Sequence, residues 1–226
     1  MLAAGDRANA EAHDALAQLC ETYWYPLYAF ARRRTGDAHE AQDLTQAFFS
    51  HLLEKRAIDK ADRDRGRFRS FLLTAMKNFL SHEWEKARAQ KRGGGHAILS
   101  LDFDSGESRY QVEPSHELTP ERLFERRWVM TLLDRVLEIL RTELTQAGKA
   151  DHFEQLKTLI GGNAAGVSEL DRAAAALGIS PAAAKQAAYR MRKRYRQLFR
   201  EEVSRTVADD SEVDEQIARL LQTLGE

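Results

Sequence analysis

In the stretch RFRSFLLTAMKNFLSHEWEKARAQKR, from Arg67 to Arg92, the apolar residues Phe68, Phe71, Leu72, Ala75, Phe79 and Leu80 recur at steps of three and four. That period places them on one face of a long helix. Arg67, Arg69, Lys77, Lys86, Arg88, Lys91 and Arg92 lie around and beyond the face, against only Glu83 and Glu85 as acids. Asn78, His82 and Trp84 fall among them. A basic helix with an amide and an indole carries the groups needed to hold a phosphate backbone and stack on bases. The same pattern also suits a solvated basic face on a core helix, with Trp84 simply packed.

The helical period extends through most of the chain. From Arg7 to Arg34, Leu16, Leu19, Tyr23, Leu27 and Phe30 keep helical spacing, and Pro26 is expected to kink that helix or split it in two. The aromatic cluster Tyr23, Trp24, Tyr25 and Tyr28 reads as core. Thr35-Gly36-Asp37 is a stop followed by a start, with Asp37 as N-cap. From Ala38 to Glu54 an apolar stripe of Leu44, Phe48, Leu52 and either Ala41 or Phe49 leaves Asp43, Gln46, Ser50 and Glu54 on or near the opposite face. A loop of alternating charge, Asp59 to Arg67, leads into the basic helix.

Gly93 to Pro120 differs in character. Three glycines end the basic helix, and Asp102 to Pro120 is polar, with two prolines and no helical period. A long irregular stretch is unusual inside a compact domain, so it reads as an interdomain linker. Thr119-Pro120-Glu121 then caps a helix with the stripe Trp128, Leu132, Leu133, Val136, Leu137 and Leu140. A further helix spans Asp151 to Ile160. In Ser168 to Arg200, Ser168 caps a short alanine-rich helix, Gly178 ends it, and Ser180-Pro181 opens a second, basic one. Helix, glycine-bearing turn and basic helix is the pattern of a helix-turn-helix. Lys185, Gln186, Tyr189 and Arg190 are placed on or beside its groove-facing side, with Arg192, Lys193, Arg194 and Arg196 tracking phosphates. The tail is acidic at Asp209, Asp210, Glu212, Asp214 and Glu215. Its Val213, Ile217, Leu220, Leu221 and Leu224 form an amphipathic helix that packs back on the preceding helices or serves as a regulatory flap.

Composition narrows the function classes. At 226 residues, 43% hydrophobic and 31% charged, the chain fits one large or two small soluble domains. A net charge of −1 gives the whole molecule no pull toward nucleic acid, so any such binding rests on local basic patches. One cysteine, Cys20, in an apolar stretch excludes an internal disulfide framework and reads as a buried inert thiol. The histidines show no metal-ligand spacing, and no Gly-rich phosphate loop or nucleophile elbow is present, so no catalytic residue, metal or cofactor is expected. Without a long apolar run or a signal peptide, the reading is cytoplasmic, with no membrane partner.

Two all-helical modules joined by a flexible linker, a basic aromatic helix in the first and a helix-turn-helix in the second, resemble an extracytoplasmic-function (ECF) sigma factor of the sigma-70 family. In that resemblance residues 7–92 are the second sigma domain, 93–120 the linker, 121–205 the fourth sigma domain and 206–226 an acidic C-terminal helix. Glu40-Ala41-Gln42-Asp43-Leu44-Thr45-Gln46-Ala47-Phe48-Phe49 is similar to the family's docking motif for the polymerase clamp helices, which implies docking through Asp43, Gln46 and Phe49. Phe68 to Arg92 resembles the part that melts and reads the −10 element, implying roles for Lys77, Asn78, Trp84 and Arg88. Ser180 to Arg194 resembles the −35 recognition helix, implying DNA contacts by Lys185, Gln186, Tyr189, Arg190, Arg192 and Lys193. The implied partners are core RNA polymerase, at its clamp helices and flap, and promoter DNA. Gln42 stands where the family usually has Glu, which thins the acidic cluster and weakens electrostatic docking. The DLTQ-x-FF, RFRSFLL and AQKRGGG stretches are similar to a subgroup associated with serine/threonine protein kinases. Thr45, close to Gln42 and Asp43 on the helix, is therefore either a phosphorylation switch that restores charge or a threonine bonded to its own helix backbone. An anti-sigma protein is the other regulatory partner considered. The alternative function is a stand-alone helix-turn-helix regulator that binds duplex DNA as a dimer.

Overall fold

The computed structural model describes residues 22–54, 68–89, 101–112, 118–161, 167–207 and 209–225. Their regular structure is helical throughout, with no strand among them, which agrees with the all-α expectation. The helices are α1 (residues 22–35), α2 (Ala38–Glu54), α3 (Phe68–Ala89), α4 (Phe103–Gln111), α5 (Pro120–Gln146), α6 (Ala150–Leu156), α7 (Val167–Leu177), α8 (Pro181–Ser204) and α9 (Val213–Gly225). No helix among the described residues is long and apolar enough to cross a membrane. The chain forms two compact units, Met1–Thr131 with Thr206–Glu226, and Leu132–Arg205; α5 gives its residues up to Thr131 to the first and the remainder to the second. Leu16, Leu19, Cys20, the loop Asp59 to Arg67 and the three glycines from Gly93 lie outside the described residues.

In the first unit, α1 runs unbroken through Pro26, so the expected split does not occur. The Gly36 N–H closes the helix on the Arg32 carbonyl at 3.0 Å, and the Asp37 carboxylate accepts the Glu40 N–H at 2.8 Å to start α2. Tyr25, Leu27, Tyr28 and Phe30 of α1 are buried together with Phe48, Phe49 and Leu52 of α2, Leu72, Met76 and Leu80 of α3, and Phe124 and Trp128 of α5. Edge-to-face contacts join the helices: Tyr23 to Phe68 at 5.7 Å between α1 and α3, and Phe48 to Phe79 at 5.6 Å between α2 and α3. Burial of each such side chain contributes about 1.5–3 kcal/mol, and a well-placed aromatic pair about 0.5–1.5 kcal/mol more.

The structure departs from the sequence reading at α4. Phe103 to Gln111, taken as irregular linker, is a helix, capped by Asp102, which accepts the Ser105 N–H at 3.1 Å. Its inward positions Phe103, Gly106, Glu107 and Tyr110 keep helical spacing, but only two are apolar, so no stripe announces the helix. Phe103 packs on Trp24 at 6.0 Å and Tyr28 at 5.6 Å. Glu107 accepts bonds from the Tyr28 hydroxyl at 2.5 Å and from Arg32 at 3.1 and 3.2 Å. Tyr110 lies under Arg32 and Arg33, at 5.1 and 5.6 Å, and Arg109 lies over Tyr25 at 4.0 Å. Burial pushes the Glu107 carboxyl up, but the bonds from Arg32 and Tyr28 outweigh it and hold the group below its ordinary value.

The second unit encloses Leu132, Val136 and Leu140 of α5, Phe153 and Leu156 of α6, Ala173 and Ala174 of α7, and Ala184, Ala188, Met191, Leu198 and Phe199 of α8. The alanines leave α7 and α8 room for close approach. Between them Gly178, at φ +64°, sits in the left-handed region, with its N–H on the Ala175 carbonyl and the Ile179 N–H on Ala174. This is a Schellman ending. Ser180 then accepts the Ala183 N–H at 3.2 Å, and Pro181 opens α8. α7 begins at Val167, so Ser168 lies within its first turn and not at its cap. In the C-terminal segment Asp209 accepts the Ser211 N–H at 2.8 Å, and α9 buries Val213, Gln216 and Leu220 while Leu221 is exposed.

Gly106 tests the α4 packing. Glycine to alanine in a helix interior usually stabilises by about 0.5–1 kcal/mol. At Gly106 a Cβ would stand 3.0 Å from two ring carbons of Trp24, so Gly106→Ala should lower the thermal midpoint, and a higher midpoint would contradict this packing. Glu107 adds a pH signature. With its folded value depressed, its contribution is present above the ordinary glutamate value and is lost as pH falls through the folded one. Protease access to residues 101–112 should therefore rise on acidification in the wild type, and Glu107→Gln should flatten that rise.

Candidate nucleic-acid and docking interfaces

α2 turns one polar edge outward. Glu40 and Asp43 are exposed, and Gln42 and Gln46 half-buried. Both Ala41 and Phe49 are buried, as is Ser50, which the sequence reading placed on the outer face. Of the three anticipated docking residues, Asp43 and Gln46 thus reach the surface, whereas Phe49 is fully buried and acts by holding α2 in place. Thr45 is also fully buried, and its hydroxyl donates to the Ala41 carbonyl at 2.7 Å. That is the backbone-bonded state of the two considered. A kinase has no access to the hydroxyl in this packing.

α3 divides along its length. Near its start Arg69, 5% exposed, pairs with Glu125 at 2.9 Å and lies 4.8 Å from the centre of the Trp128 ring. Trp128 in turn stacks on Tyr23 at 6.3 Å. Arg69 therefore belongs to the interior and not to the basic surface on which it was placed. Lys77 pairs with Glu121 at 2.8 Å, and this pair holds the Glu121 carboxyl below its ordinary value. Asn78, Ser81 and His82 are exposed. The half-buried Trp84 donates its indole N–H to Glu40 at 3.4 Å and lies 5.5 Å from the Arg34 guanidinium. The side chain of Arg88, and Lys91 and Arg92, lie outside the described residues.

On α8 the buried positions Ala184, Ala188, Met191, Leu198 and Phe199 fix the rotation of the helix. Lys185, Gln186, Tyr189, Arg190, Lys193 and Arg196 are exposed. Arg192 instead donates to the Leu159 carbonyl at 2.7 Å, and Arg194 makes a two-pronged pair with Glu143 at 3.0 and 2.7 Å. Both had been placed as phosphate contacts. In this structure they fasten α8 to the helices behind it, as does the Tyr195 hydroxyl, which donates to the Leu133 carbonyl at 3.2 Å. Tyr189, Arg192, Lys193, Arg196, Gln197 and Arg200 border an open depression of about 350 Å³ on the basic side of α8.

The partners Glu121, Glu125 and Glu143 were not singled out from sequence. Glu121 and Glu125 lie four apart on α5, so they share a face, but nothing local tells which cations they meet across the fold.

Residues 19–90 match the family model for Sigma-70 region 2. The match takes in α1, α2 and α3 and supports a sigma factor of the sigma-70 family, a non-enzymatic class that acts in promoter recognition and transcription initiation. No curated protein and no solved structure matches the chain.

The buried pair can be checked directly. Removing one partner of a fully buried ion pair costs roughly 3–5 kcal/mol. Glu125 is 27% exposed, so Glu125→Ala should cost less, on the order of 2 kcal/mol, in urea unfolding followed by tryptophan fluorescence. An unchanged midpoint would mean that Arg69 is held without the carboxylate.

Proposed function

We propose that this chain is an ECF-type sigma factor, which binds core RNA polymerase, directs it to promoters and works in the cytoplasm without a cofactor. The observation that carries the reading is order: the Sigma-70 region 2 match over α1 to α3 is followed by a helical unit that ends in a capped helix-turn-helix with a basic outer face. Glu40, Asp43 and Gln46 on α2 offer the clamp helices carboxylates and an amide. Asn78 and Trp84 on α3, with Lys77 and Arg88, serve the unpaired −10 strand, where an amide and an indole can hold unstacked bases. The exposed face of α8 anchors the upstream duplex, and the polymerase flap is the partner proposed for the second unit.

Regulation through Thr45 takes a restricted form in this reading. A serine/threonine kinase could act there only on a state in which α2 has left its present packing, so docking in the folded state relies on the carboxylates already exposed. An anti-sigma protein would instead compete for the exposed edge of α2.

Binding to fluorescently labelled core RNA polymerase tests the reading. Wild type should bind and support promoter-dependent transcription, and Asp43→Lys should weaken binding by about tenfold, the scale of one reversed rim charge. Thr45→Val, which keeps the volume and removes the phosphorylatable oxygen, should cost about 1 kcal/mol of stability and leave polymerase binding within about twofold. A much larger loss would mean that docking needs the Thr45 hydroxyl itself, and binding that rises on kinase treatment in wild type but not in Thr45→Val would restore Thr45 as the switch. If wild type ignores polymerase and shifts duplex DNA as a dimer, the protein is a stand-alone regulator.

A further inference from the structure

Glu121 lies in the first turn of α5, after the Thr119 cap and the helix-opening Pro120. Leu123 and Phe124, both fully buried, anchor that turn in the first unit. The Glu121 carboxylate reaches across to α3 and meets the Lys77 ammonium at 2.8 Å. Arg34, near the end of α1, is a second cation at the same place. The hydrogen bond from Lys77 holds the Glu121 carboxyl below its ordinary value, and the charge of Arg34 adds to the effect. The Arg34 guanidinium also lies 5.5 Å from the centre of the Trp84 ring. Arg34 forms no close ion pair of its own among the described residues.

Two cations and an indole thus gather around one carboxylate. Lys77 and Trp84 are seven residues apart on α3, which sets them on one side of the helix, about 10.5 Å apart along its axis. Arg34 links the two, since it touches the ring and acts on the carboxylate. A carboxylate held by an ammonium and a guanidinium occupies the kind of place that phosphate oxygens also take. An aromatic ring beside such a place offers a base its platform. The hold on Glu121 is light: the side chains of Lys77 and Glu121 are 42% and 37% exposed, and an ion pair so open to water is weak and screened by salt. Glu125, four residues on, differs, because its partner Arg69 is buried and that contact is kept. The Glu121 side chain can therefore turn away while α5 stays in place.

We propose that Lys77 and Arg34 form a seat for one backbone phosphate of a single strand whose base stacks on Trp84, and that Glu121 fills this seat until the strand displaces it. Glu121 is an internal competitor. It raises the threshold for strand binding without touching a base, and it keeps two cations of the first unit from gathering polyanions at random. Identifying the strand as the melted promoter segment rests on the sigma-factor reading. The competition itself concerns only Arg34, Lys77, Trp84 and Glu121.

The test is binding of the full-length chain to a fluorescently labelled single-stranded oligonucleotide over a range of salt, alone and with core RNA polymerase. Glu121→Gln should bind about threefold more tightly at low salt, the scale of one rim charge. Its log–log salt slope should steepen by about 0.7, as one more phosphate is neutralised. Adding Lys77→Met or Arg34→Met to Glu121→Gln should cancel both gains. Adding Trp84→Ala should lower the affinity and keep the steeper slope, which separates the base from the phosphate. Because its ion pair is open to solvent, Glu121→Gln should melt with wild type. Unchanged affinity and slope in Glu121→Gln, or a gain that survives Lys77→Met, would overturn the seat while leaving the sigma reading intact. Failure of both wild type and Glu121→Gln to bind the strand, even with polymerase, would remove both.

Discussion

A guanidinium taken out of water costs several kcal/mol unless its charge is met, and Arg69 is buried at the point where three helices converge. Glu125 answers the charge, the Trp128 ring lies against the guanidinium, and Tyr23 stacks on Trp128. The contact therefore fixes α3 to α1 and to the first part of α5 at one place. It also fixes the rotation of α3. With Arg69, Leu72, Met76, Phe79 and Leu80 turned inward, the helix presents Ser70, Thr74, Asn78, Ser81 and His82 outward. That outward line is rich in hydrogen-bonding groups and poor in free cations, since Lys77 is paired with Glu121. Such a surface suits contact with base edges better than a non-specific grip on phosphate.

The polar edge of α2 and the Trp84 ring of α3 share a partner. Glu40 starts the acidic motif of α2 and also accepts the Trp84 indole N–H, while Arg34 lies over the same ring. Trp84 is thus held between a carboxylate and a guanidinium, both close to solvent. Each contact is weak by itself, because exposed ion pairs and hydrogen bonds add little in water. Weak contacts are what a side chain needs if it is to exchange its packing for a base. Anything that engages Glu40 also removes one of the two groups that hold the indole.

The legible part of the fold was its punctuation and its long stripes. Asp37, Thr119, Ser180 and Gly178 cap or end helices as the sequence suggests, because caps are decided by a few neighbouring atoms. The α4 helix was hidden because its inward line includes a glycine that admits Trp24 and a glutamate that serves Tyr28 and Arg32. Helical spacing was there, but hydrophobicity was not. Ser50 was misplaced for a different reason: α2 buries more than one stripe, Phe49 and Thr45 included, so a position opposite the main stripe need not face water. Arg69, Arg192 and Arg194 read as surface cations because their partners, Glu125, the Leu159 carbonyl and Glu143, lie far away in sequence. In the candidate interfaces the residue types could be read, but which of them remained available could not.

That distinction decides what α8 can do. A helix bearing seven basic residues between Lys185 and Arg200, all free, would hold any polyanion at many rotations, and counterion release would make the binding strong but indiscriminate. Tying Arg192 and Arg194 into the helices behind α8 withdraws two of those cations from the surface. Together with the Tyr195 hydroxyl on Leu133 and the alanine packing against α7, they oppose rotation of the helix about its axis. A fixed rotation keeps Gln186 and Tyr189, neither of them charged, exposed on the same side of the helix. Charge given up on the surface becomes orientation: two guanidiniums that could have met any polyanion instead fix which side of α8 faces outward.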